Sequence, residues 1–338
     1  MDLPTLWFIL VFVLIAGYAV LDGFDLGVGM LHLLSRGDAE RRISINAIAP
    51  VWDGNEVWLL TAGGALFAAF PPVYAAVFSG MYVAFTLLLL ALIARAMGLE
   101  FRSKATSPAW RATWDGLFWA GSLTATLLIG VAFGNILRGL PVDIDGICHG
   151  SFFGLLNPYA LLVGAAVVAA CGLHGALYLA GKTDEAQRQR LVRAAWILWA
   201  ALALLYLAGG VATVCVSPFL HDPINDTWGG KALVAAALAA LISVPVALLR
   251  QRTGAAFCAS FAFMVIALAL CAWGLYPRLV PSTIGPGADL TIRNSASSSR
   301  TLWAMLIITL TGMPIVLGYT LFVYRVFRGK VVITSESY

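Results

Sequence analysis

The chain has 338 residues, of which 61% are hydrophobic and only 11% charged, and its mean hydropathy is +0.89. Soluble domains carry roughly 25% charge, so this composition excludes a soluble enzyme or binding module and describes a polytopic membrane protein. The net charge of +4 is met by basic loops that face solvent and anionic headgroups, which removes the reason to expect a nucleic-acid partner.

A stretch of about 20 apolar residues crosses a bilayer core, and such stretches recur at 6–34, 51–70, 73–98, 114–138, 154–180, 191–216, 231–249, 256–276 and 301–325. The chain is therefore expected to be all-α with about nine transmembrane helices. The start, MDLPTLWF, has no basic leader and runs into a span too long for a signal peptide, so the first helix is expected to remain in the mature protein. That helix ends in DGFDLGVG, which places Asp22 and Asp25 on one face of its inner half. The second opens with WDGNEVWL, where Asp53 and Glu56 repeat the three-residue spacing. Counting about 1.5 Å per residue puts both pairs at overlapping depths, with Asp25 about 14 Å and Asp53 about 8 Å from their helices' inner ends. Gly23, Gly27 and Gly54 lie among them and are expected to let another backbone come close. Pro71 and Pro72 separate the second span from the third.

Basic residues fall mainly in alternate connections: Arg36, Arg41 and Arg42; Arg95, Arg102, Lys104 and Arg111; Lys182 to Arg193; Arg250 and Arg252; and the tail from Arg325. Because positively charged short loops stay inside, the N-terminus is expected outside and the C-terminus in the cytoplasm. Trp52, Trp58, Trp110, Trp114 and Trp119 cluster near the inner helix ends, as an interfacial belt would. The longest connection, between Tyr276 and Arg300, is rich in Pro, Gly and Ser and reads as an irregular outer cap or docking loop. Residues 1–138 and 154–276 form two four-helix sets of the same orientation, a possible repeat, with 301–325 as a ninth helix beside them. The carboxylates expected inside the membrane all precede residue 57, so function is expected in the first set.

Charge inside a bilayer is costly and usually functional. Asp22, Asp25, Asp53 and Glu56 admit three readings: a proton path from the cytoplasm, a lock in which Arg95, Arg102 or Arg111 neutralises them, or a cation site built from their oxygens. Desolvation and mutual repulsion keep clustered acids from all ionising, which suits proton exchange. Arg102 is a candidate for tuning them or for anchoring Glu100. His32 and His174, on different helices at similar depth, were weighed as heme ligands, but His32 stands where a helix-capping histidine is the plainer expectation. The five cysteines contain no CxxC pair and suggest no metal or redox site. No catalytic, cofactor-binding or metal-ligating residue is expected in this chain.

In order, DGFDLGVGML, INAIAPVWDGNEVWLLTAGGALFAAFPPVYAAVFSGMY, GLEFRSK and IGVAFGNILRG resemble subunit II of cytochrome bd-type quinol oxidases. These motifs cover most of residues 17–138. The resemblance implies an oxidoreductase subunit of the bacterial inner membrane, part of a respiratory complex that oxidises quinol and reduces dioxygen to water. It implies a heterodimer with a heme-bearing subunit I that holds two b hemes and a d heme, two four-helix bundles plus one peripheral helix in this chain, and small single-helix accessory subunits or a bound quinone or lipid in some members. It also implies proton entry through acids matching Asp22, Asp25 and Asp53. Glu56 departs from relatives with an amide there, and the SPFLHDPINDTWGG connection is short for the family. A proton-coupled transporter and a purely structural scaffold are the rival readings.

Overall fold

In the computed structural model the described residues are 2–285 and 287–333, and they are overwhelmingly helical. The first helix, α1 (Leu3–Leu31), starts where the Asp2 carboxylate accepts from the Thr5 amide at 3.1 Å and Pro4 fills the first turn. A short amphipathic helix α2 (Gly37–Ile48) follows, then α3 (Trp52–Ala69), α4 (Pro71–Gly80), α5 (Tyr82–Phe101) and α6 (Pro108–Arg138). The second half holds α7 (Phe152–Leu155), α8 (Pro158–Ala180), α9 (Glu185–Val216), α10 (Pro218–Asp226), α11 (Trp228–Leu249) and α12 (Thr253–Leu275), then strands β1 (Arg278–Val280) and β2 (Leu290–Thr291), and finally α13 (Ser299–Val326).

Among the described residues, eight helices are long and apolar enough to cross a membrane, where nine spans were expected. The difference lies in 51–70, which forms α3: that helix is only 18 residues long and opens with Asp53 and Glu56. The expected span 73–98 is two helices, because the chain leaves helical geometry at Met81 between α4 and α5. Span 154–180 is likewise divided, with the Asn157 side chain capping α8 through the Ala160 amide at 3.0 Å. The connection expected to be irregular contains the antiparallel β1–β2 pair.

α1 runs through the middle of the molecule and packs on α3, α6, α8 and α12. Its tightest approach is to α8. A Cβ at Gly27 would fall 2.0 Å from the Cys171 carbonyl oxygen, and one at Gly175 would fall 2.4 Å from the Gly27 carbonyl carbon, so each glycine exists to admit the other backbone. Gly54 instead faces open space, and the expected close approach of a backbone there does not occur. Helix α13 is the least enclosed, with only Leu302 and Leu306 buried, and is pinned at its start by Trp7, whose indole N–H donates to the Leu302 carbonyl at 3.0 Å.

Each end of the bundle is knitted by loops. At the end where α1 begins, the Leu140 amide donates to Pro281, Ser282 Oγ donates to Val142 and the Ser297 amide donates to Ala69. At the other end the Val331 amide reaches the Lys182 carbonyl, and Lys182 Nζ, over the Tyr178 ring, donates to Phe327 at 2.7 Å. Burial holds the Lys182 amine below its ordinary pKa. Of the five tryptophans expected in a belt, Trp58 is core: it is 9% exposed and its ring fills the space over Gly17.

Candidate functional site: two buried charge clusters

The last turns of α1, the first turns of α3 and the C-terminal half of α5 meet in a cluster of acids. Asp22 and Asp25 are fully buried, being a turn apart on the side of α1 turned away from lipid. Arg95 of α5, also fully buried, forms a two-pronged pair with Asp22 (Nη2 to Oδ1 2.8 Å, Nη1 to Oδ2 3.4 Å) and a short hydrogen bond to Glu56 of α3. Arg95 had counted as part of a basic loop; burial within α5 makes it the cation that joins three helices. A buried guanidinium tolerates this position only because two carboxylates meet it.

Asp25 is served differently. Asn55 of α3 donates from Nδ2 to Asp25 Oδ2 at 2.7 Å and to the Leu21 carbonyl at 3.2 Å, while its own Oδ1 accepts from the Tyr324 hydroxyl of α13 at 3.1 Å. Asp25 Oδ1 has no hydrogen-bond partner among the described residues. Asp53, expected to share the site, is exposed at the first turn of α3 and makes no hydrogen bond or ion pair among the described residues. The four expected acids thus separate into three that the structure brings together and one at the surface, a turn of α3 away from Glu56. Asn55 and Tyr324 carried no charge and so gave no signal in sequence; Asn55 was discoverable only as the polar residue between Asp53 and Glu56.

A second cluster closes the same end of the bundle. Asp115 of α6, 1% exposed, had not been counted among the intramembrane acids, being next to the expected start of its span. It accepts from His32 Nε2 at 2.6 Å, from Arg102 Nε at 2.5 Å and from Arg41 Nη1 at 2.6 Å. Arg102 also reaches Asp38 at 2.8 Å, which Arg111 pairs with at 3.0 Å. Arg102 is therefore occupied in this second cluster and not placed beside Asp22 and Asp25, while Glu100 is half-buried on the last turns of α5. An acid one residue inside the apolar stretch 114–138 was the available clue. Arg190 and Glu40 pair nearby, joining α9 to α2.

The two histidines expected at similar depth are both buried, and His32 keeps Nδ1 without a hydrogen-bond partner among the described residues. His174 spends Nδ1 on Ser260 Oγ at 2.7 Å and Nε2 on the Val20 carbonyl at 3.2 Å, and its ring stacks on Phe257. His32 follows α1 as its C-cap but is buried and committed to Asp115. An apolar cavity of about 560 Å³ lies between α1, α6, α8, α9 and α12, with Phe133, Tyr206, Phe263 and Met264 in its walls and Thr126 and Thr213 among its few polar residues.

Comparison with known proteins supplies the context. A family model described as cytochrome bd terminal oxidase subunit II matches residues 3–327. The probable cytochrome oxidase subunit 2 of Haemophilus influenzae is 38% identical, covering 97% of this chain and 95% of its own length. The cytochrome bd-I ubiquinol oxidase subunit 2 of Escherichia coli is 39% identical over 99% of this chain and 96% of its own, and the Bacillus subtilis cytochrome bd ubiquinol oxidase subunit 2 is 36% identical over 98% and 97%. Among solved structures, a chain of the bd oxidase from Geobacillus thermodenitrificans shares the fold with a TM-score of 0.79 at 18% identity, covering 97% of this chain and 99% of that one.

Proposed function

The chain belongs to the cytochrome bd terminal oxidase subunit II family, and from that premise we propose that it is the heme-free companion of subunit I and delivers cytoplasmic protons for the reduction of dioxygen to water. As a subunit of a quinol oxidase it is part of an oxidoreductase of the inner membrane and works in a complex with subunit I. Its own role is to bind, orient and carry protons; the hemes, two b and one d, belong to the partner and supply the redox chemistry.

The observation that carries this reading is the imbalance of the first cluster: Asp22, Asp25 and Glu56 surround a single guanidinium, Arg95. One cation satisfies one carboxylate's charge, so the remaining acids have reason to hold and exchange protons. Exposed Asp53 is the entrance, Glu56 the half-buried step and Asp25, with one oxygen unpartnered, the inner acceptor. The orientation that makes this entrance cytoplasmic rests on the basic loops at the same end.

The division into 1–138, 154–276 and 301–325 belongs to the same proposal. α5 packs on α6 as α11 packs on α12, α1 on α3 as α8 on α9, and the reciprocal Gly27–Gly175 contact sits where an axis relating two four-helix sets would run. The apolar cavity fits the isoprenoid tail of a quinone or a lipid acyl chain, since its walls offer almost no hydrogen-bonding group. Small accessory helices would find lipid-facing apolar surface on α9 or α13.

A second reading has its own observation. Arg95 ties α1, α3 and α5 together through Asp22 and Glu56, which is what a purely structural lock would look like. Quinol-oxidase turnover of the purified two-subunit complex separates the readings. Asp25→Asn and Asp53→Asn are expected to assemble with the parental heme spectrum and to turn over about a hundredfold more slowly, the lower range for loss of a positioned proton donor or acceptor. Parental turnover in both assembled variants would leave the lock as the explanation.

A further inference from the structure

We infer that Tyr324, on the otherwise peripheral helix α13, is a positioning residue for the acid cluster: its hydroxyl holds the Asn55 amide in the one orientation that aims a donor at Asp25. This rests on the proton-delivery reading for its consequence, though not for its geometry.

An asparagine amide has one acceptor and two donors, and its two faces are nearly isosteric, so only its neighbours decide which way it points. Here all three valences are used. Tyr324 Oη donates to Asn55 Oδ1 at 3.1 Å, and Nδ2 donates to Asp25 Oδ2 at 2.7 Å and to the Leu21 carbonyl at 3.2 Å. Tyr324 is the sole contributor among the described residues that addresses the amide oxygen, and it comes from a different helix than either partner. The Asp25 carboxylate and the Leu21 carbonyl favour the same orientation from the Nδ2 side, and Tyr324 reinforces it from the Oδ1 side, since a rotated amide would set an oxygen against Asp25 and lose the hydroxyl's donor.

The placement of α13 makes this contact unusual. Most of that helix is lipid-exposed, and its buried side chains, Leu302 and Leu306, lie at the other end. Near its final turn, however, Tyr324 is half-buried, with its ring edge-on to Phe24 at 6.3 Å, in the layer where Phe24 stacks on Tyr178 at 4.0 Å. The tail beyond is held by Lys182, which accounts for the helix end staying close to α1 and α3. The groups facing Asp25 are then Asp22 of α1, Asn55 and Glu56 of α3, Arg95 of α5, Tyr178 of α8 and Tyr324 of α13. Of these, Tyr324 is the one that acts through another side chain.

The test uses the assembled oxidase complex carrying Tyr324→Phe, Tyr324→Gln or Asp25→Asn, with kcat and quinol KM measured across pH and with redox-induced infrared difference spectra of the carboxyl region. Asp25→Asn identifies the Asp25 band by removing it. Tyr324→Phe is expected to shift that band, lower kcat about threefold with KM unchanged, and displace the pH profile of kcat by about one unit, which is a tenfold change in proton affinity. Tyr324→Gln, which keeps a donor, is expected to restore part of each. If the Asp25 band and the pH profile in Tyr324→Phe match the parent, the positioning role is overturned even where Asp25→Asn is slow. If Asp25→Asn turns over like the parent, proton delivery fails instead, and the infrared band alone then decides whether Tyr324 positions the amide. Should Tyr324→Phe lose the heme spectrum while Tyr324→Gln keeps it, the hydroxyl is holding the fold and the inference is wrong.

Discussion

The two charge clusters occupy the same end of the bundle and differ in one respect that sets their chemistry, the ratio of acid to guanidinium. Around Arg95 there are three carboxyl groups for one cation; around Arg102 there are Asp115 and Asp38 for three guanidinium groups, with His32 as well. Guanidinium does not give up its proton in proteins, so the second cluster has no spare acid that could load and unload one. It is a fastener between α1, α2, α5 and α6. The first has acids beyond what its cation can neutralise, and a turn of α3 connects it to an exposed carboxylate. On the proposed reading burial alone does not mark a proton site, since Asp115 is as enclosed as Asp22; the stoichiometry is what separates the two.

The sharpest way to break this contrast is to remove the hub of the fastener. Asp115→Leu takes its acceptor from buried His32 and leaves Arg102, 2% exposed, with Asp38 alone, and stripping one partner from a buried pair costs about 3–5 kcal/mol. The complex is expected to be recovered in low yield, or with a thermal midpoint lowered by several degrees, when heme-bearing material is followed on heating. Whatever complex remains should turn over at the parental rate, because this cluster carries no protons; slow turnover in intact material would merge the two clusters into one pathway.

A milder change sharpens the same line from the other side. Glu56→Gln keeps a hydrogen-bond acceptor for Arg95 and removes one acid, leaving Asp22 and Asp25 against the guanidinium. Assembly is expected to be parental and turnover reduced by about threefold or less, well short of the Asp25→Asn effect, as measured by quinol-dependent oxygen consumption. Equal losses for the two variants would make Glu56 an obligatory step.

The smallest effect belongs to an acid outside both clusters. Asp143, in the loop between α6 and α7, accepts from His149 Nε2 at 2.6 Å and from the backbone amides of Ile147 and Asp145. These bonds, the His149 one foremost, hold its carboxyl below the ordinary 3.8. A depressed folded-state pKa gives stabilisation that is complete above the unfolded value and fades as pH falls through the folded one. Amide exchange of residues 143–149 is thus expected to stay slow down to the bottom of the usual carboxylate range and to quicken only below it, whereas Asp143→Asn should quicken it modestly at neutral pH. Turnover is expected to be indifferent to both.

Much of the first cluster was readable in the order of the residues, because an acid in an apolar run is conspicuous and a three-residue spacing fixes a shared helix face. Asp22, Asp25 and Glu56 came together as that logic required. Asp53 did not, since the periodicity that aligned it with Glu56 could not say that α3 begins at its first turn and leaves it exposed. Arg95, named as a neutralising cation yet counted in a basic loop, and Asp115, not counted at all, were hard to place for a common reason. Each lies near the end of a span, where composition cannot separate a loop residue from a side chain folded inward.

The sequence by itself determined that this chain is a multi-pass helical membrane protein and, through the DGFDLGVG and WDGNEVWL motifs, which family it belongs to, because hydropathy and motif order are properties of the linear chain. Only the tertiary structure decided which charges share a site. Pairing Arg95 with Asp22 spans 73 residues and Tyr324 with Asn55 spans 269, and whether such groups meet depends on helix packing. At the α1–α8 crossing that packing is set by the reciprocal Gly27–Gly175 contact; the glycine pattern of α1 announced that a backbone would come close at Gly27, and only the fold decided that it is α8.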